Sequence, residues 1–273
     1  IMDLLNPCEG ETVYDPACGT GGILIEAMNH ILRENSDASV LMGKLFGQER
    51  SPASYAIAQT NLSLHGAPDF KIVCGDTLRN PLLIEDGSLM QFDVVATDPP
   101  FSVSDWGQAE WALDRFGRSR AGVPPKSTGD FAWLQHVVAS MRPISGRAAV
   151  VMPHGVLFRG GVENTLRQDL IERDLLDAVI GLGPGLLYGT GIPICVLVFR
   201  ASKPDDRKGK VIFIDASVLV KKDFPINKLE LKHIRQISDW YWQFKNVPGA
   251  VRIATSAELA MGNWNLNLAR YVK

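Results

Sequence analysis

The chain has 273 residues, of which 46% are apolar and 21% charged, enough for one large core and, by length, for a principal domain with an appendage. A net charge of −2 excludes a surface coated for nucleic acid, so any such contact must come from a local basic patch or a partner. The absence of a long apolar run and of an export-type leader predicts a soluble, cytoplasmic chain with no membrane association.

In chain order, short β-rich runs alternate with helical stretches. "TVYDPA" (12–17) precedes a helix over 22–33, "LFGQE" (45–49) a helix over 52–64, and "KIVCGD" (71–76) is followed by "FDVVATD" (92–98). A helix over 130–141, "GRAAVVMP" (146–153), a helix over 162–173, "LLDAVIGL" (175–182) and "ICVLVFR" (194–200) complete the series. Near-continuous apolar strands alternating with helices predict an α/β, doubly wound, Rossmann-like fold with a mostly parallel, seven-stranded sheet. The last two strands are joined only by the glycine- and proline-rich "GPGLLYGTGIP", which leaves no room for a helix, so they are expected to form an antiparallel pair closing one sheet edge. After Arg200 the texture changes to a charged link, one short strand "VIFID" and an amphipathic helix near 229–244. Residues 1–200 are therefore read as the principal domain and 201–273 as an appendage packed on it.

The four cysteines show no C-x-x-C spacing, and Cys18, Cys74 and Cys195 lie in or beside apolar runs, which predicts reduced, buried thiols. The five histidines have no ligand spacing, and no metal site is expected.

In a doubly wound sheet, ligands sit beyond the carboxyl ends of the strands, which here means "DPACGTGG", "GQER", "CGDTL" and "TDPPF". Gly19, Gly21 and Gly22 permit a tight turn into a helix N-terminus. A dinucleotide is disfavoured because Leu24 stands where the third glycine of G-x-G-x-x-G belongs. Glu49, ending the second strand, is placed to accept hydrogen bonds from a ribose diol, with a solvated charge as the bland alternative. Asp76 is open between a ligand contact and an Asx turn.

The segments "VYDPACGTGGILIEA", "GQERSPASYAIAQTNLSLHG", "CGDTL", "FDVVATDPPF", the run from "GDFAWLQH" to "DAVIGL", "LLYGTGIPICVLVFR" and "NWNLNLARYV" together resemble the modification (methyltransferase) subunits of type I restriction-modification systems. These form a family of S-adenosylmethionine-dependent DNA adenine-N6 methyltransferases. The resemblance implies that Asp15, Gly19 and Gly21 hold the methionine part of S-adenosylmethionine, Glu49 the ribose hydroxyls and Asp76 the adenine amine. Pro16, Cys18, Thr20, Gly22, Thr77 and Leu78 complete the cofactor loops. It also implies DNA as substrate, with a specificity subunit and a restriction subunit as partners. The family usually carries asparagine where Asp98 stands. Its members normally begin with a helical domain and a Phe-Tyr-Thr-Pro-like element; neither is found here, so the sequence is expected to be a catalytic-domain piece with weak cofactor affinity on its own.

"DPPF" then makes chemical sense. Adenine N6 is a poor nucleophile, and Asp98 is suited to accept one of its hydrogens, with the carbonyl of Asp98 or Pro99 accepting the other. Pro99 and Pro100 fix an extended path and contribute no competing donor. A base that must leave the duplex needs a stacking surface, for which Phe101 is the candidate. Cys8 lies before the first strand, not where a C5-cytosine methylase keeps its nucleophile, and is read as structural. Arg115, Arg118, Arg120 and Lys126, in a loop on the same edge, are candidates for contacts to DNA phosphates, or for a merely solvated loop. Trp240, Tyr241 and Trp242 are read as facing either the core, which is preferred, or the specificity subunit. Two other readings stay open: methylation of another substrate (cytosine N4, an RNA base or a protein glutamine), and a non-catalytic scaffold of a restriction complex.

Overall fold

A computed structural model describes residues 1–33 and 37–273, and these divide into two compact units, Ile1–Val150 and Val151–Lys273.

The first unit opens with a one-turn helix, α1 (Met2–Leu5), and the strand β1 (Val13–Asp15), followed by α2 (Gly22–Leu32), β2 (Leu45–Glu49), α3 (Pro52–Leu64) and β3 (Phe70–Cys74). A two-residue hairpin, β4 (Ile84–Glu85) with β5 (Ser88–Leu89), leads to β6 (Val94–Thr97), the short α4 (Gln108–Trp111), α5 (Asp130–Ser140) and β7 (Arg147–Pro153). The main ladder runs β3-β2-β1-β6-β7, every pair parallel. All four residues of β6 are buried, as a central parallel strand covered on both faces requires. Helix α3 starts where proline at its first position and the side chain of Ser51, accepting from the amide of Ser54 at 3.3 Å, supply the start signals. Leu24, Ala27, Met28 and Ile31 of α2 are buried, each large one worth about 1.5–3 kcal/mol in apolar transfer.

The second unit contains α6 (Val162–Glu172), β8 (Leu176–Leu182), β9 (Ile194–Arg200), β10 (Lys210–Ala216), α7 (Leu231–Gln243), β11 (Val251–Thr255) and α8 (Ser256–Met261). The β8–β9 pair is antiparallel, as expected. It does not close the ladder: β10 pairs in parallel with the other side of β8, and β11 lies antiparallel on β10. Residues after Arg200 thus supply strands to the same ladder as β8, and the boundary between the two compact units falls at 150/151. Among the described residues nine strands belong to the two ladders, where the sequence predicts seven. The "VIFID" strand is buried along its apolar residues, and Phe213 within it stacks on Tyr271 of the C-terminal segment at 4.1 Å.

Two smaller expectations are corrected. All four cysteines are free, but Cys74 is exposed, because β3 is the outermost strand of its ladder. Of the aromatic triplet, Tyr241 is fully buried while Trp242 is 44% exposed. Among the described residues no helix is long and apolar enough to cross a membrane.

Candidate functional site

The strand ends of β1, β2, β3 and β6 bring the predicted loops together at one edge of the first unit. After β1 the chain makes a turn in which the Asp15 carboxylate accepts from the amide of Ala17 at 3.0 Å, and the amide of Cys18 reaches the carbonyl of Gln48 at 3.1 Å. Gly19 and Gly21 then take φ values of 53° and 87°, the left-handed region where a side chain is strained, and Gly21 caps α2. The carbonyl of Thr20 is held by Asn61 Nδ2 at 3.0 Å.

Glu49 ends β2 and ties two loops: its Oε2 accepts from the amide of Gly19 at 2.9 Å and its Oε1 from that of Ser51 at 2.7 Å. After β3, Asp76 makes the Asx turn that the sequence allows, accepting from Leu78 and Arg79 amides at 3.1 and 3.2 Å through Oδ1. Its Oδ2 meanwhile faces Arg50 at 3.6 Å and Arg79 at 3.8 Å. The Thr77 hydroxyl donates to the carbonyl of Pro16 at 2.6 Å, locking the third loop to the first. The fully buried Gln48, which pattern reading does not single out, clamps the same loop by donating to the Asn80 carbonyl at 3.0 Å and accepting from the Leu82 amide at 2.9 Å.

After β6, Asp98 is exposed, Pro99 buried, Pro100 exposed and Phe101 half-buried. The turn closing this stretch is held from α5: the amide of Ser102, at φ 55°, donates to the buried Asp130 carboxylate at 2.7 Å. Gly129 must be glycine here, since a Cβ would lie 2.8 Å from Trp106.

Six of the predicted residues, Pro16, Glu49, Asp76, Thr77, Leu78 and Pro100, line a single cavity, so the "DPPF" stretch and the cofactor loops open onto one space. Asp15, Cys18, Gly19, Thr20, Gly21, Gly22, Asp98, Pro99 and Phe101 are not among its lining residues. Ala17, Arg50, Val103, Trp106 and Trp133 complete the wall, and the sequence reading assigns none of them. The two tryptophans are almost fully buried and come from separate elements, which only the fold brings together; the "FAWLQH" run reads as an ordinary buried helix.

Electrostatically the edge is acidic. Burial pushes Asp15 up to about 7, and the charges of Asp98 and Glu49 add to this. Loss of hydration likewise pushes Asp98 up to about 6. Burial drives the Cys18 thiol up, with Asp15 and Glu49 adding, which makes it a poor nucleophile at neutral pH. Among the described residues no cluster of His, Cys, Asp and Glu could hold a metal ion.

The donor set discriminates between ligands. The amide of Gly19 is spent on Glu49 and that of Gly21 on the Cys18 carbonyl at 2.7 Å, so the turn does not offer the ring of amides a pyrophosphate needs. Two carboxylates beside Leu78, Val103, Trp106 and Trp133 suit instead a nucleoside with a cationic centre.

The basic loop departs from expectation. Arg115, Arg120 and Lys126 are exposed, but Arg118 is only 4% exposed and is bonded inside the protein, so it is withdrawn as a phosphate contact.

The sequence profile of the N-6 DNA methylase family matches residues 1–273. The methylase subunit of the type I restriction enzyme MjaVII from Methanocaldococcus jannaschii is 31% identical over 283 residues, covering 100% of this chain and 47% of that protein. The corresponding MjaIX subunit from the same organism is 32% identical over 286 residues, covering 100% of this chain and 50% of that protein. The chain thus spans about half the length of the curated relatives it matches. Among solved structures, the type I restriction-modification methyltransferase subunit from Streptococcus thermophilus superposes with a TM-score of 0.85 at 31% identity, covering 97% of this chain and 55% of that one. With the family profile matching all of residues 1–273, the chain belongs to the N-6 DNA methylase family.

Proposed function

We propose that this chain carries the catalytic domain of an S-adenosylmethionine-dependent DNA adenine-N6 methyltransferase, acting as the modification subunit of a type I restriction-modification complex with specificity and restriction subunits. The observation that carries the reading is the shared cavity: Glu49, Asp76 and Leu78 face the same space as Pro100 of the "DPPF" stretch. In that space Glu49 keeps, on each oxygen, a lone pair beyond those used by Gly19 and Ser51, available to a ribose diol. Asp76 Oδ2 is the acceptor for an adenine amine, and Leu78 and Trp106 supply apolar walls for its ring. Asp15 and the turn at 19–22 would hold the methionine end. S-adenosylmethionine, when bound, supplies an electrophilic methyl group.

On the substrate side, the Asp98 carboxylate accepts one N6 hydrogen of an extruded adenine and a main-chain carbonyl of Asp98 or Pro99 accepts the other, so the nitrogen lone pair is freed toward the methyl donor. Phe101 stacks on the base, and such stacking is worth about 1–3 kcal/mol against the cost of extrusion. Positioning supplies most of the acceleration, and no covalent enzyme intermediate is required. The relatives named as type I methylase subunits support the substrate and the partners.

Isothermal calorimetry of S-adenosylmethionine binding, wild type against Glu49→Ala in the full-length protein, tests the cofactor half: at least a tenfold weakening is expected from the lost charge-assisted bonds, on the order of 1.5–3 kcal/mol each. Methylation of DNA by the complete complex tests the other half. Retained activity in Asp98→Ala would overturn the catalytic reading in favour of a scaffold.

A further inference from the structure

Arg118 is a buried cation within the segment that follows "DPPF", and its guanidinium reaches the β3 loop, its own segment and α5. Nη1 and Nη2 donate to the main-chain carbonyls of Thr77 and Leu78 at 3.0 and 3.1 Å. Both residues, with Asp76 before them, belong to the part of the β3 loop that lines the cavity. Nε donates to Asp114 Oδ1 at 2.8 Å, and the Arg118 amide donates to Oδ2 of the same carboxylate at 2.8 Å, so Asp114 both neutralises the charge and folds the segment around it. The guanidinium also lies 4.0 Å from the ring centre of Trp111 on α4.

The contact with α5 fixes a tautomer. A guanidinium can only donate, so Nδ1 of the buried His136, 3.3 Å from Nη1, must accept. Its Nε2 then carries the proton and donates to the hydroxyl of Tyr14 at 3.1 Å, next to Asp15 on β1. Helix α5 itself bears Trp133 on the cavity wall and Asp130, which holds the turn after Phe101. Through Trp111 Nε1, which donates to Gln135 Oε1 at 3.3 Å, and Gln135 Nε2, which donates to the Gly122 carbonyl at 2.8 Å, the same helix anchors the rest of the segment.

We propose that Arg118 is a positioning residue that makes the cofactor wall at Thr77–Leu78 and the segment 111–122 one mechanical unit, so that filling the cavity with the nucleoside orders the segment adjoining the target-base side. This rests on the reading of the cavity as the S-adenosylmethionine site. A solvated loop would have left its arginine outside; here the charge is met by Asp114 and the remaining donors are spent on two loop carbonyls.

The test is hydrogen exchange of the full-length protein with and without sinefungin, a non-reacting analogue of the methyl donor, combined with calorimetry. Wild type is expected to gain protection at amides 111–122 on binding. Arg118→Gln is expected to bind roughly tenfold more weakly and to gain protection at 17–22 and 49–51 but not at 111–122. Arg118→Lys, which keeps the charge and fewer donors, should recover part of that protection. Should Arg118→Gln fail to fold, Asp114→Asn gives the same readout, with reduced protection at 111–122. Wild type that binds the analogue without new protection at 111–122, or an Arg118→Gln protein that keeps it, overturns the coupling alone. Failure of wild type to bind, or Glu49→Ala binding as tightly as wild type, overturns the reading of the cavity beneath it.

Discussion

The backbone amide of Gly19 donates to the carboxylate of Glu49 across 2.9 Å, so the residue proposed to meet a ribose also holds the glycine turn in shape. Its second oxygen serves Ser51 at 2.7 Å, which means that both oxygens must be acceptors. A glutamine offers one acceptor and one amino group, and the amino group would face an N–H. Glu49→Gln is therefore expected to lower stability by about 1–3 kcal/mol and to weaken nucleoside binding together with it. A urea midpoint equal to that of wild type would show that the tie between the two loops does not form.

In the proposed mechanism Asp98 gives turnover a pH dependence of definite sign. Desolvation pushes its carboxyl up to about 6, and only the ionised form accepts an amino hydrogen through both oxygens. Turnover is expected to fall as pH drops through about 6 and to be level above about 7. Asp98→Asn does not titrate and should lose this acid limb. Profiles of kcat against pH for both proteins decide it, since an acid limb that survives in the variant belongs to another group.

Much of this site is legible in the sequence because it follows the strands' carboxyl ends, and those ends are marked by local chemistry. Ser51–Pro52 fixes where β2 gives way to α3, and the glycines at 19 and 21 fix the turn into α2. What is not legible depends on distant pairing. The strand at 210–216 reads as the start of an appendage until it is seen beside β8, because a short apolar run carries no record of its neighbour. Arg118 looks like a surface charge among glycine, serine and proline; its burial depends on Asp114, His136 and the carbonyls of a loop some forty residues upstream. Cys74 fails in the opposite direction, since periodicity alone does not tell an outermost strand from a central one.

Asp15 is predicted to cost stability at neutral pH. Burial raises its carboxyl from an ordinary 3.8 to about 7, so between those values the folded chain holds a proton that the unfolded chain has released. Stability contributed by this group thus falls as pH rises across that window, by up to roughly 4 kcal/mol, and is constant above it. Asp15→Asn keeps an oxygen for the Ala17 amide and carries no charge. The difference in urea stability between variant and wild type should grow in the variant's favour from pH 5 to pH 8. A difference independent of pH would mean that Asp15 is ionised throughout.

In the second unit the fully buried Asp177 gathers three donors on one oxygen: the Tyr241 hydroxyl at 2.7 Å, Arg207 Nη1 at 3.0 Å and Arg200 Nε at 3.2 Å. Arg207 is itself only 4% exposed, so its charge has few other places to go, although the carbonyl of Tyr241 takes Nη2 at 2.9 Å. Removing the shared acceptor strands a buried cation, whereas removing one donor leaves the other two in place. Asp177→Ala is therefore expected to cost about 3–5 kcal/mol and Tyr241→Phe about 1–2 kcal/mol, with Asp177→Asn between them because it keeps the shape but loses the charge. Urea titration of the three variants under one condition gives the order. Equal losses for Asp177→Ala and Tyr241→Phe would locate the stabilisation in the tyrosine hydroxyl, which also accepts from Arg200 Nε and Nη2 at 3.1 and 3.0 Å, and not in the bonds of the carboxylate to the two arginines.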